Sequence, residues 1–386
     1  MLFDVTRLAA RLLEGKRPTG VDRVSLAYIQ RFRQGAQALV RHWGRWVSPG
    51  ERGSQLIFAA LLGEVAYPAR TIRSAVAMGH VLGSSVPRGA LLFNTGHSGL
   101  DDPGYADAVR RFGLRPVYFV HDLIPVTHPE YCREGEARRH ERRLRTMLTT
   151  GSGLIANSAA TVTELYQYAK AAEQAAPPLI VAAIGALALP APQQPSPHQQ
   201  PYFVMLGTIE PRKNHLMMLH LWRQMIESGI PDIPTLVIIG QRGWECEQVL
   251  DLLERSPGLK TKVIERGGCD DDELSTWLHH AQALLFPSFV EGYGMPLVEA
   301  LAHGVPVIAS DLPVFREIAG AVPDYLDPLD GPGWRLQVLD YARPESSARA
   351  AQIVRMKGYV APSWEQHFAL VAPFVETLRA ECRRDR

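Results

Sequence analysis

The sequence predicts an α/β protein made of two parallel-sheet domains, and three observations carry that prediction. Short apolar runs of strand type alternate with helix-like stretches: Leu91 to Asn94, Pro116 to Val120, Tyr202 to Leu206, Leu236 to Gly240, Lys262 to Glu265 and Ala283 to Pro287. This is the sequence form of parallel strands covered by helices. The 386 residues exceed what one hydrophobic core ordinarily serves. Between Pro190 and Pro201 the chain turns rich in Pro and Gln, with no apolar residue larger than Ala191, which reads as a linker. The expected division is a first domain over 1–189, a linker over 190–201, a second domain over 202–362 and a last helix over about 363–386.

Composition narrows the class further. With 46% hydrophobic and 21% charged residues the chain is ordinary for a globular protein, and each domain can bury a sizeable core. The 41 basic and 40 acidic residues leave a formal charge of +1, so no global field draws the protein to nucleic acid and any electrostatic partner must act locally. Cys132, Cys246, Cys269 and Cys382 follow no Cys-x-x-Cys or framework spacing, which reads as reduced thiols rather than a disulfide scaffold or metal site. The amino end meets Asp4 and Arg7 at once, unlike a secretory signal, and no apolar run reaches the length of a membrane span. The longest, Leu179 to Leu189, reads as a buried strand with its exit loop. A cytoplasmic protein is expected.

Taken along the chain, several short segments could carry chemistry. Pro18-Thr19-Gly20-Val21 reads as a plain glycine turn. His121-Asp122 follows the strand-like run that ends at Val120. A strand-end histidine is commonly packed or capped, but at the C-terminal edge of a parallel strand side chains face the ligand crevice. Arg133 to Arg145 holds six arginines against Glu134, Glu136 and Glu141, a solvated helix face laced with ion pairs, or a surface for anionic lipid. Asp101-Asp102 and Asp270-Asp271-Asp272 read as helix starts.

The two strongest signals lie in the second half. Tyr202 to Leu206 runs directly into Gly207-Thr208-Ile209-Glu210-Pro211-Arg212-Lys213-Asn214, followed by apolar residues at helical spacing. A basic pair therefore sits on a strand-to-helix loop. Arg212 can fork two phosphate oxygens and Lys213 can add a mobile charge, while Gly207 lets the backbone come close and Asn214 is placed to cap the next helix. Phe289 to Glu299 sets two carboxylates, Glu291 and Glu299, eight residues apart around Gly292-Tyr293-Gly294. Pro296 suits the first helical position. A helix N-terminus offers free amides and partial positive charge to a diphosphate, with the carboxylates accepting from sugar hydroxyls. A helix start with ordinary first-turn acids explains the same residues.

Together these segments resemble glycosyltransferase family 4, which pairs a Gly-Thr-x-x-x-Arg-Lys-Asn loop with a Glu-x-x-x-x-x-x-x-Glu signature. The resemblance continues through Val305 to Ser310 and Asp311 to Glu317. It is weaker in the first half, at Val120 to Pro125, Ile155 to Ser158 and Pro18 to Arg23. Ala183-Ile184-Gly185-Ala186 departs from the Pro-x-Gly that members often carry. The resemblance implies a GT-B fold, two Rossmann-like domains facing a central cleft, with the last helix crossing back to the first domain. It implies a retaining hexosyltransferase in which His121, Arg212, Lys213 and Glu291 act at the reacting centre. Gly20, Gly207, Gly292, Tyr293, Gly294 and Glu299 would help bind the nucleotide sugar, and Gly267 to Cys269 would meet its base. No metal or other cofactor is implied. The loop wording looks most like bacterial mannosyltransferases of surface polysaccharide assembly, suggesting GDP-mannose, while UDP- or dTDP-sugars fit the same residues. The acceptor would be a glycan or lipid-linked oligosaccharide met by first-domain loops such as Trp43 to Arg52, with peripheral membrane contact. Rival readings are a glycan phosphorylase, a nucleotide-sugar epimerase, or an inactive scaffold relative, whose usual sign is loss of a motif residue that this chain retains.

Overall fold

The computed structural model describes residues 1–82, 86–192 and 194–384. The chain divides into two compact units. The first comprises Met1–Val126, Ala137–Ile184 and Trp364–Arg386, and the second Thr127–Glu136 and Gly185–Ser363.

The first unit is a seven-stranded sheet: β1 (Leu2–Asp4), β2 (Gln37–His42), β3 (Arg45–Val47), β4 (Leu91–Asn94), β5 (Arg115–Val120), β6 (Gly153–Ala156) and β7 (Leu179–Val181), in the order β3-β2-β1-β4-β5-β6-β7. All neighbours are parallel except β2 and β3. The segment read as a recognition loop, Trp43 to Arg52, is instead the turn and second strand of this hairpin followed by a helix start at Gly50. The expected buried strand from Leu179 shrinks to three residues, because β7 is an edge strand with Val181 exposed.

The last helix, Trp364–Arg384, buries Phe368, Val371, Val375 and Leu378 in this unit. Gly153 makes room for it, since a Cβ there would lie 2.7 Å from Leu378 Cδ1. His367 Nδ1 is 2.9 Å from the Ala183 carbonyl, which only accepts, so Nδ1 carries the hydrogen and Nε2 accepts from the Tyr28 hydroxyl at 2.8 Å.

The second unit holds β8 (Tyr202–Leu206), β9 (Thr235–Ile239), β10 (Val263–Arg266), β11 (Leu284–Phe286), β12 (Val307–Ser310) and β13 (Asp324–Leu326), all parallel, in the order β10-β9-β8-β11-β12-β13. Its strands read as near-continuous apolar runs because helices cover both faces. Trp222 and Trp334 are fully buried, and each indole N–H finds a carbonyl, Pro234 O at 2.8 Å and Asp327 O at 2.9 Å. The strand order reverses between β8 and β11, so the crevice for a ligand opens at their C-terminal ends.

The Pro- and Gln-rich stretch expected to be a free linker is tied to the second unit. Ser275 donates to Pro190 O at 2.5 Å, His280 Nε2 lies 3.1 Å from Gln194 O, and His198 bonds Thr235 at 2.9 Å. Composition alone does not reveal these bonds, which are made by residues far along the chain. Cys132, Cys246 and Cys269 form no disulfide, while the side chain of Cys382 lies outside the described residues. Among the described residues no helix is long and apolar enough to cross a membrane.

Candidate active site

At the switch point of the second sheet, two loops are built against each other by backbone geometry. After β8 the chain turns at Gly207, whose φ of 139° an L side chain rarely adopts. Gly207 N–H donates to Ile239 O at 2.9 Å, and a Cβ on Gly240 would stand 1.8 Å from Gly207 O. Close approach therefore depends on Gly240, which the sequence reading passed over, as much as on Gly207. Ile209 and Gly243 extend the pairing, so the loop enters its short 3-10 turn, Pro211–Lys213, on a fixed path. Asn214 then takes the left-handed φ of 58°. It stands where a cap belongs, but its side chain makes no cap bond; Nδ2 donates to Pro328 O at 2.9 Å.

The loop after β11 joins the first through Phe289, whose N–H donates to Arg212 O at 2.8 Å. This bond brings Glu291 onto the basic pair. Arg212 Nη1 lies 2.6 Å from Glu291 Oε2 and Nη2 lies 2.6 Å from Glu210 Oε1. Lys213 Nζ pairs with Glu291 Oε1, which also accepts from Ser288 Oγ at 2.8 Å. Lys213 rests 4.7 Å from the Phe286 ring centroid, with Nζ toward its face.

Two cations and two carboxylates thus neutralise one another in a buried cluster. The Arg212 guanidinium bridges two acids, one of them Glu210, to which the sequence reading gave no role. Burial pushes the Glu291 carboxyl upward, but Arg212 and Lys213 outweigh it and hold it at about 2. Burial and the neighbouring Arg212 lower the Lys213 ammonium from its ordinary value, against the pull of Glu291.

The glycine turn completes this edge. Gly294 has φ 109°, and a Cβ there would meet Phe315 Cε1 at 2.7 Å. The helix Met295–Ala302 follows, so Pro296 holds its second position rather than its first. The reason is the same at either position, since the first four helical N–H groups have no partner in the helix. Tyr293 and Glu299 are buried, and Glu299 lies in the second turn.

Gly20 and His121 belong to the first unit. Gly20 is the first residue of the helix Gly20–Phe32, behind Thr19. The buried Asp22 accepts from Thr19 N–H at 2.8 Å and Thr19 O–H at 2.7 Å and pairs with Arg7 and Arg11 at 2.8 Å each. At the end of β5, His121 Nε2 is 2.7 Å from Thr95 O. It sits in a group of three histidines, with ring centroids 5.1 Å from His97 to His121 and 5.9 Å from His97 to His140.

Each ring turns Nε2 to a carbonyl: His97 to Phe119 O at 2.7 Å and His140 to Asp122 O at 3.1 Å. Each Nε2 therefore carries hydrogen. Burial lowers His121, while Thr95 O and Asp122 act the other way. Burial, then His121 and His140, puts His97 well below the usual range. Asp122 itself caps the following turn through Ile124 N–H at 3.1 Å.

The remaining acidic groups are structural. Asp270 caps the helix Asp271–His279 by accepting from Glu273 N–H at 2.8 Å, and Asp102 caps Pro103–Phe112 through Gly104 N–H at 2.8 Å. The arginine-rich helix Glu136–Thr150 pairs outward, with Arg139 2.8 Å and Arg143 3.6 Å from Asp101.

Two parallel-sheet Rossmann-like units with a strand-end ligand crevice define the GT-B class of glycosyltransferase folds. Within that class, residues 191–321 match the family model described as glycosyl transferases group 1. HepE of Anabaena, solved with UDP-glucose, shares the fold with a TM-score of 0.68 at 16% identity, covering 97% of this chain and 99% of that one. In sequence the chain resembles bacterial mannosyltransferases. It is 31% identical over 229 residues to the serotype-specific mannosyltransferase WbdA of Escherichia coli, covering 55% of this chain and 28% of WbdA. It is 28% identical over 262 residues to O-antigen chain mannosyltransferase B of Escherichia coli, covering 65% of this chain and 67% of that protein. The chain thus spans little more than a quarter of WbdA.

Proposed function

We propose that the protein is a retaining hexosyltransferase of bacterial surface polysaccharide assembly, moving mannose from GDP-mannose to a hydroxyl of a glycan or lipid-linked oligosaccharide. The observation that carries this reading is the Arg212, Lys213 and Glu291 cluster at the switch point of the second sheet. Cations held there without reorganisation suit a group whose negative charge grows as it leaves. In the proposed step the bond from sugar C1 to the diphosphate oxygen breaks and a bond from C1 to the acceptor oxygen forms on the same face. The acceptor proton passes to the departing diphosphate, so no protein base is needed.

Arg212 and Lys213 stabilise that diphosphate beside the helix start at Gly294, with Gly207 and Gly292 leaving the backbone open to it. Glu291 orients the hexose hydroxyls, Tyr293 lines the turn and Glu299 accepts from the ribose. His121 offers its Nδ1 lone pair to the transferred sugar, and Gly20 borders the acceptor. The charge is met by side chains and helix amides, so the scheme calls on no metal. An enzyme working on lipid-linked glycan is expected in the cytoplasm, in peripheral contact with the membrane.

The donor rests on two relatives named as mannosyltransferases. A second reading, a UDP-hexose donor, is favoured by the fold's likeness to HepE in its complex with UDP-glucose. Incubation with GDP-mannose, UDP-glucose and a dTDP-hexose, each with a lipid-linked oligosaccharide acceptor, separates them. The proposal expects GDP release with an α-linked mannosyl product by NMR. Transfer from UDP-glucose alone would replace the donor, and inversion at C1 would overturn the mechanism.

A further inference from the structure

The chain leaves the first unit at Val126 and returns at Ala137, and the ten residues between, Thr127–Glu136, group with the second unit. Within this strap Tyr131 closes a 3-10 turn, Pro129–Tyr131. Its ring is stacked on that of Phe289, with an interplanar angle of 1° and centroids 5.3 Å apart. Phe289 is the residue whose N–H donates to Arg212 O.

The strap is pinned a second time. Trp244 Nε1–H donates to Tyr131 O at 3.3 Å, and the Arg133 guanidinium stands 5.0 Å from the Trp244 ring centroid, over its face. Trp244 follows Gly243, whose N–H donates to Ile209 O on the Arg-Lys loop. The strap therefore grips the loops after β9 and β11, and both of these hold the loop after β8.

We infer that Tyr131 is a positioning residue for the Arg212, Lys213 and Glu291 cluster, acting through the ring of Phe289. The inference rests on the transferase reading of that cluster. A ring stacked on Phe289 fixes the direction of its backbone N–H, and that N–H sets the height of the Arg212 carbonyl and so of its guanidinium. A parallel aromatic pair restricts both partners more tightly than an aliphatic contact of equal area, and an ångström of misplacement at a reacting centre is felt strongly in turnover. Only the ring is called upon, so the phenol hydroxyl is dispensable.

The test compares Tyr131→Phe, Tyr131→Leu and Phe289→Leu with wild type, reading melting temperature, thermal stabilisation by GDP and UDP, and kcat and KM separately. Tyr131→Phe should match wild type. Tyr131→Leu should melt within a few degrees of it yet lose about tenfold in kcat, and Phe289→Leu should add little to that loss in the double variant. If Tyr131→Leu fails to fold, Tyr131→Met, flexible and of comparable length, supplies the same comparison. A folded Leu or Met variant with wild-type kcat and nucleotide response would overturn the inference, as would a Phe variant as impaired as Leu. Wild-type protein that responds to neither nucleotide defeats the transferase reading instead, and the two failures are distinct.

Discussion

The two strand-end clusters solve opposite electrostatic problems. In the second unit Arg212, Lys213, Glu210 and Glu291 are charged and mutually paired, and Glu291 stays ionised down to about pH 2. In the first unit His97, His121 and His140 each give Nε2–H to a carbonyl, and burial keeps His97 and His121 neutral. A cluster of balanced charges is preorganised for a ligand that carries charge of its own. The histidine group is of the other kind, with each Nε2–H already given to a carbonyl and no ionised side chain among its three members needed to hold it. The difference is one of polarity: ionised pairs in the second unit, buried histidine rings in the first.

The comparison breaks most readily at Glu291. Glu291→Ala removes both the partner of buried Lys213 and one arm of Arg212, and stranding a buried charge costs about 3–5 kcal/mol. A large drop in melting temperature is expected together with loss of transfer; an unchanged melt would show that the cluster is not mutually supporting. Arg212→Ala should act differently, because Glu291 keeps Lys213 and Ser288 although Glu210 loses its Arg212 ion pair. Its turnover should fall about 10²- to 10³-fold, as removal of a transition-state donor does, with a smaller change in melting. Equal melting with unchanged turnover would contradict the assigned role.

Acid sharpens the contrast next. A histidine whose folded pKa is depressed binds fewer protons than the unfolded chain, so its contribution is present above about pH 6.5 and is lost as pH falls below it. Buried His215, lowered to about 3 by burial and by Lys213, contributes to the same loss from the second unit. Between pH 6.5 and 5 that one group costs about 2 kcal/mol at 1.36 kcal/mol per unit. Denaturant midpoints should therefore fall over this window while the Glu291 ion pairs persist, and a flat profile would mean that the rings are not held neutral. The smallest effect belongs to Arg139→Ala, half exposed and paired with Asp101. A change of about 0–1 kcal/mol in denaturant stability is expected, and a larger one would give that helix a structural role.

What was legible in the sequence follows the range of the forces involved. The strands at Leu91–Asn94 and Tyr202–Leu206 match their apolar runs residue for residue, because pattern and element are both local. Gly207 and Gly294 announced turns for the same reason. Glu210 carries no sequence signal of its own, since its role depends on Arg212 folding back on it. The Tyr131 and Phe289 stack joins residues 158 positions apart (289 − 131), and no local pattern marks it. The Pro- and Gln-rich stretch misled because backbone and hydroxyl bonds to Ser275, His280 and Thr235 hold it in place, and composition is blind to them.

The central claim is that the switch-point cluster of the second unit is a nucleoside-diphosphate site. The most direct test is thermal stabilisation of the purified protein by GDP, UDP, dTDP and their hexose conjugates, since a ligand that binds only the native state raises its melting point. The account predicts a shift selective for one base, GDP foremost, that is lost in Arg212→Ala. Absence of any shift with all three nucleotides, or a shift that Arg212→Ala leaves intact, would contradict it.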